Sequence, residues 1–262
     1  LDRRLLLSIP YLLWFFALVL APFTLVMATS LALKDAYGNL TFGFHGDAFQ
    51  QLLDPIYLSV IGRTLLFAVP HTLITLALAY PVAFFLSRLD RSQASIYLTF
   101  LLIPFWTNFL IRLLSFMDVL RLQPFGIQWT FTFHGMIAAM VYNTLPFAIF
   151  PLYAALEKVP NSLLEAAQDL GASKRWVLLK LLWPLTKRAV FVVALLVFIP
   201  ALGEYLVPEL VGGGQQYYLG TFLQQQFQVA RNWPLGSAAI ALLVLLSVVL
   251  VGLGGKALEE NS

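Results

Sequence analysis

The chain has 262 residues, 60 % of them apolar and 11 % charged, with a formal net charge of +3 and a mean hydropathy of +0.83. A soluble domain carries about a quarter charged residues, so this composition describes a polytopic membrane protein whose aqueous part is too small for a separate enzyme domain. The chain has no cysteine, which excludes disulfides, thiolate metal sites and cysteine nucleophiles, and the small basic excess reads as loop charge that fixes orientation, not as a nucleic-acid surface.

A spanning helix needs about 20 mostly apolar residues, and six stretches meet or approach that requirement. The first is residues 5–33, with Pro10 and Pro22 inside. Arg3-Arg4 ahead of it and Ala28-Thr29-Ser30 near its end mimic a cleaved signal peptide. The uncharged run is far longer than the roughly 7–15 residues of a signal core, so it is read as a retained first span. The second is residues 64–86, with Pro70 and Pro81, and the third begins near Ala94 and runs to Ile111. The fourth is residues 135–156, with Pro146 and Pro151. The fifth starts at Ala189 and reaches about Leu202, or further if the stretch to Leu206 lies in the membrane; the sixth is residues 235–255. Prolines inside spans are tolerated where neighbouring groups re-satisfy the freed carbonyl. Their abundance fits helices that bend around a pathway, and it equally fits the general enrichment of proline in membrane helices.

Lysine and arginine set the orientation. With the N-terminus in the cytoplasm, the inner segments hold Arg3, Arg4, Arg88, Arg91, Lys158, Lys174, Arg175, Lys180, Lys187, Arg188 and Lys256, and the outer ones hold Lys34, Arg63, Arg112, Arg121 and Arg231. The excess places both termini inside. The three outer segments, residues 34–63, 112–134 and 203–234, are candidate docking surfaces for an external partner, or else loops with interfacial turns rich in aromatic residues.

Between the fourth and fifth spans lies the longest polar-bearing segment, residues 162–184. Ser162-Leu163-Leu164-Glu165 reads as a capping box, with Pro160 stopping any helix from upstream. A short helix is predicted through Leu170, ended by Gly171 in a positive-φ conformation. Ser173 is placed to cap a second, amphipathic helix carrying Lys174, Arg175 and Lys180, and the chain is expected to re-enter lipid around Pro184 and Lys187-Arg188. The orientation puts this whole loop in the cytoplasm.

Chemistry for handling nucleotides is missing. Gly254-Gly255-Lys256 is the nearest fragment to a phosphate-binding loop, and it lacks both the spacing and the hydroxyl residue. An ATP-driven process would therefore need an ATPase on another polypeptide. His45, His71 and His134 are scattered without metal-ligand spacing. His71, beside Pro70, is read as a packed residue bonding a freed carbonyl rather than a proton relay. Acids near membrane segments are costly and usually functional, which singles out Asp118, Glu204 and Glu209. Asp118 has Arg112 or Arg121 as a possible partner. Glu204 and Glu209 sit with Tyr205 and have no basic neighbour until Arg231. Carboxylates beside aromatic faces suit an organic polycation, and Trp106, Asn108, Asp118, Glu204, Tyr205 and Glu209 form the candidate substrate pathway.

Glu165-Ala166-Ala167, three residues, Gly171, nine residues and then Leu181-x-Trp183-Pro184 resembles the EAA loop of the membrane subunits of ABC importers. Leu181 and Trp183 stand where that pattern has Ile and Leu. The resemblance implies a coupling helix that docks into a groove of a separate ATPase, with Glu165, Ala166, Ala167, Gly171 and Pro184 as its residues. Ile103-Pro104-Phe105-Trp106-Thr107-Asn108-Phe109-Leu110-Ile111-Arg112 looks like the third-span signature of the spermidine/putrescine permease branch. Tyr80-Pro81-Val82-Ala83-Phe84-Phe85-Leu86 and Arg231-Asn232-Trp233-Pro234 are similar to that branch as well, so the likeness covers nearly everything beyond residue 50. The segment between spans three and four looks shorter than usual for it. Opine, iron and other organic-cation importers share much of the same pattern.

The resemblance implies an all-α protein of six spans with the type I importer permease fold, a single domain over residues 1–262 with a cytoplasmic coupling loop at residues 157–188. It also implies a multi-pass subunit of the bacterial inner membrane that imports polyamines by alternating access. Its partners would be a second homologous permease, two ATPase subunits carrying ATP and magnesium, and an external substrate-binding protein; the chain itself would hold no cofactor. The rival from another class is a secondary transporter without an ATPase. That class calls for intramembrane acids or two halves with matching broken helices, and the cores of spans one, two, four and six carry no carboxylate.

Overall fold

The computed structural model describes residues 10–11, 13–35 and 39–259, the side chains of residues 256–259 excepted. Arg3, Arg4, residues 5–9 of the expected first span and the Lys256 side chain lie outside the described residues. The described chain is almost entirely helical, with one two-stranded antiparallel ribbon, β1 (Leu33–Lys34) and β2 (Leu40–Thr41), pairing Leu33 with Thr41 and Lys34 with Leu40. The chain divides into two compact units, Leu1–Gly62 with Leu219–Val249, and Arg63–Tyr218 with Leu250–Ser262.

Among the described residues five helices are long and apolar enough to cross a membrane, Leu13–Ser30, Pro55–Ser87, Phe133–Leu156, Lys174–Leu202 and Trp233–Gly255, and a bent pair makes a sixth if it is one span. In chain order the helices are α1 (Ala21–Ser30), α2 (Asp47–Leu52), α3 (Pro55–Ser87), α4 (Arg91–Leu102), α5 (Phe109–Arg121), α6 (Phe133–Leu156), α7 (Asn161–Asp169), α8 (Lys174–Leu202), α9 (Leu206–Leu210), α10 (Leu219–Gln224) and α11 (Trp233–Glu259). With 33 residues, α3 is about 50 Å long and overruns the hydrocarbon thickness of ~30 Å. The expected second span, residues 64–86, is thus its inner part.

Two of the expected spans are corrected. The third is not straight. Helix α4 passes into a 3-10 turn at Ile103–Trp106, and α5 leaves at 97°. Pro104 opens the 3-10 turn, Thr107 is extended, and the Asn108 side chain accepts the Leu110 N–H to start a new helix. A missing donor followed by a fresh cap is enough to break a helix. Arg112, expected in an outer segment, therefore lies inside α5. The helix that carries the fifth span does not start at Ala189. Helix α8 is continuous from Lys174, widening into a π turn at Val177–Leu182 just before Pro184. The proline ring would crowd the carbonyl four residues back, and Lys180 lies in the widened turn, so the helix stays unbroken.

The first unit is built on Ala48, Leu52, Val60, Phe222, Leu235, Ala238 and Ala239. Tyr57 meets Phe222 edge-on at 5.4 Å, and the Thr29 and Ser237 hydroxyls are 2.7 Å apart, tying α1 to α11. The core of the second unit joins Ala79, Ala83 and Leu86 of α3 to Ala148, Ile149, Leu152 and Leu156 of α6, with Val190, Val193 and Val197 of α8. Alanines at these positions let helix backbones approach closely, the usual packing in lipid, where water no longer drives helices together. Large exposed residues such as Phe85, Leu196 and Val248 cover the outer faces, as lipid-facing surface does.

Candidate functional site

Helix α7 and the start of α8 carry the motif found between spans four and five. The expected capping box does not form. The N-cap is Pro160 in extended conformation, the helix begins at Asn161, and no side chain caps it. The extended Pro160 starts the helix one residue before Ser162, so Ser162 and Glu165 fall inside the first turns. The end of α7 follows the expectation closely. Gly171 has φ +83°, its N–H donates to Gln168 O at 2.8 Å, and the Ala172 N–H donates to Ala167 O at 3.0 Å. This paired closure is a Schellman motif. It fixes why three residues separate Ala167 from Gly171: the alanine supplies the carbonyl and the glycine the left-handed turn. Ser173 then caps α8, its hydroxyl accepting the Trp176 N–H at 3.3 Å.

Only one side of α7 is anchored. Leu164 is buried in the core of the second unit, with Val159, Val177 and Leu182 around it. Glu165 and Ala166 face outward, and Leu170 is 89 % exposed beside half-exposed Trp176. Leu163, Ala166, Ala167, Leu170, Gly171 and Trp176 line an open hollow of about 680 Å³. Behind α7 a second, almost wholly apolar cavity of about 770 Å³ is lined by Tyr80, Pro81 and Phe84 of α3, Leu164 of α7, and Leu182 and Trp183 of α8.

Arg88, one residue past the end of α3, is in the sequence only an orienting charge. Its guanidinium donates to Leu156 O, to Val159 O at 3.0 Å and to the Asn161 side-chain oxygen. It also lies over the Phe84 ring at 5.4 Å. Burial lowers its pKa from the ordinary arginine value.

The candidate pathway residues occupy separate elements, and the side chains of Asn108, Asp118 and Glu204 are engaged locally. Trp106 and Asn108 sit at the elbow between α4 and α5, Trp106 81 % exposed and Asn108 capping α5. Asp118 pairs with Arg121, one turn on, at 2.8 Å with both side chains exposed. Arg112 takes no part in that pair. It is buried, donates to Asn143 Oδ1 at 2.9 Å and to Pro104 O at 3.3 Å, and stacks on Phe105 at 4.0 Å. Arg112 thereby braces the elbow. Glu204 caps α9, accepting the Leu206 and Val207 N–H groups at 2.9 and 3.2 Å, while Glu209 and Tyr205 are exposed. His71 is buried with Nε2 2.9 Å from the Thr144 hydroxyl, a packed residue as expected.

Residues 4–260 match the family described as the binding-protein-dependent transport system inner membrane component. The chain belongs to this family. This transport system inner membrane component is therefore a multi-pass permease subunit, not an enzyme. Among curated relatives, it is 34 % identical over 252 residues to the spermidine/putrescine transport system permease protein PotB of Escherichia coli K12, covering 91 % of this chain and 92 % of that protein. It is also 34 % identical over 253 residues to PotB of Haemophilus influenzae, covering 90 % and 88 %. Among solved structures, a chain of a bacterial alginate ABC transporter, bound to a periplasmic protein carrying alginate pentasaccharide, matches with TM-score 0.72 at 14 % identity, covering 96 % of this chain and 92 % of that one. A chain of the inward-facing MetNI methionine ABC transporter matches with TM-score 0.64 at 17 % identity, covering 81 % and 99 %. At these identities the likeness speaks for the fold: the all-α type I importer permease.

Proposed function

We propose that this permease subunit imports polyamines, spermidine or putrescine, by alternating access driven by ATP hydrolysis on a partner chain. The observation that carries the reading is the 34 % identity to spermidine/putrescine permeases along nine-tenths of the chain. The whole of residues 1–262 acts as one permease domain, both termini lie in the cytoplasm, and the loop at residues 157–188 faces the ATPase. A second homologous permease, two ATPases with ATP and magnesium, and an external substrate-binding protein complete the assembly.

The coupling role of Glu165, Ala166, Ala167, Gly171 and Pro184 is supported by the exposed apolar surface around them. An apolar patch on a segment that carries lysines and arginines is a surface built for a protein partner. Its hollow is shallow and open, suited to mutual docking. Trp106, Asn108, Asp118, Glu204, Tyr205 and Glu209 are proposed to face the substrate. Exposed carboxylates contribute about 0–1 kcal/mol each to a bound cation, and aromatic faces about 0.5–2 kcal/mol. Several such contacts hold a polycation without trapping it.

The test is uptake by the subunit reconstituted with its partner permease, ATPase and binding protein. ATP-dependent accumulation of labelled spermidine or putrescine is the expected result. ATP-dependent uptake of another organic solute with neither polyamine taken up would reassign the cargo and keep the machine.

A further inference from the structure

We infer that Arg88 is a positioning residue that links the coupling helix to the second span, so that movement of α7 is delivered to α3. The inference rests on the coupling reading and adds to it the residue through which force leaves the loop. Helix α6 ends at Leu156, four residues connect it to Asn161, and α7 starts there. The Arg88 guanidinium reaches across this whole connector. It holds the last carbonyl of α6, the Val159 carbonyl in the connector and the side chain of the first residue of α7. Three elements 68–73 positions away in sequence therefore converge on one side chain rooted at the end of α3.

The geometry suits arginine alone. The orphan carbonyls at a helix end attract a cation, and a planar fork with five fixed donors serves three acceptors at once, which a lysine point charge does not. The fork is held in register from its own side. Its Nε donates to Ser87 Oγ at 3.1 Å, Ser87 Oγ donates to Phe84 O at 2.8 Å, and the guanidinium rests on the Phe84 ring. Phe84 in turn lines the apolar cavity that Leu164 and Gln168 of α7 also line. The coupling helix thus has two attachments to the span layer. Leu164 is apolar and tolerates sliding; the Arg88–Asn161 bond is directional and transmits rotation.

The experiment compares Arg88→Ala, Arg88→Lys and Asn161→Ala in the assembled complex, reading ATPase association, ATP hydrolysis and spermidine taken up per ATP. Association should stay at the wild-type level with hydrolysis continuing, while uptake per ATP falls about three- to tenfold in both Arg88 variants and less in Asn161→Ala. An unchanged uptake per ATP in Arg88→Ala overturns the inference, as does a parallel loss of association, which marks Arg88 as a fold residue only. If Arg88→Ala does not insert, Asn161→Ala decides. It leaves the carbonyl bonds intact, and an unchanged ratio there also overturns the link. Gly171→Asp is carried alongside. If that variant keeps its ATPase, the coupling reading itself fails. If it loses the ATPase while Arg88→Ala transports normally, only the Arg88 inference falls.

Discussion

The coupling segment and the candidate pathway residues are both polar interruptions in an apolar chain, yet the fold treats them in opposite ways. In α7 Glu165 and Ala166 face outward, and the backbone closes on itself through Gly171. Three of the candidate pathway side chains are already bonded: Asn108 caps α5, Asp118 pairs with Arg121, and Glu204 caps α9. A surface left free after folding is available to a partner that stays bound. An exposed pair such as Asp118–Arg121 is given up for little, which suits contacts made and broken in every cycle.

The contrast is broken most severely at Gly171. Asp there must adopt a left-handed φ, a strain of about 1–2 kcal/mol, well below the stability of a folded domain. Gly171→Asp, and likewise Glu165→Lys, should insert normally and lose the ATPase on co-purification from membranes. Retention of the ATPase at wild-type level with transport intact would place the docking face elsewhere.

A smaller effect is expected on the other side of the comparison. The Glu204→Gln, Glu209→Gln double variant keeps an amide oxygen to cap α9 but removes both charges. At about 0–1 kcal/mol per exposed contact, spermidine uptake should fall several-fold while hydrolysis without substrate holds steady. Wild-type uptake would take these residues out of the pathway. A drop in basal hydrolysis as well would assign Glu204 to structure.

The smallest effect belongs to Asp118. Its exposed pair with Arg121 contributes about 0–1 kcal/mol at most, and Asp118→Asn should leave expression unchanged and alter uptake by no more than about twofold, measured as initial rate. Abolished uptake would show that Asp118 serves the substrate far more strongly than an exposed pair allows.

What was legible in the sequence follows the range of the forces. Gly171 and Ser173 act on neighbours within five residues, so their turn and cap are readable from the chain. The same local logic misplaced the start of α7, because Pro160 in its extended conformation occupies the N-cap position two residues before Ser162. The elbow was hidden because its apolar residues satisfy a span by composition; the break comes from Pro104 and the Asn108 cap, and its brace from Arg112 reaching Asn143 on another helix. Arg88 is the clearest case. Nothing near it in sequence distinguishes a charge that orients the chain from one that clasps three backbone and side-chain acceptors about seventy residues on.

The claim that the free face of α7 is where the ATPase docks is tested most directly by a cysteine at Ala166, which is exposed beside Glu165 in a chain without native cysteine. In the assembled complex, a short bifunctional reagent should join this cysteine to the ATPase subunit, and a reagent confined to the outer side should leave it unlabelled. Labelling from outside, or the absence of any cross-link to an ATPase that co-purifies at full occupancy, would contradict the account.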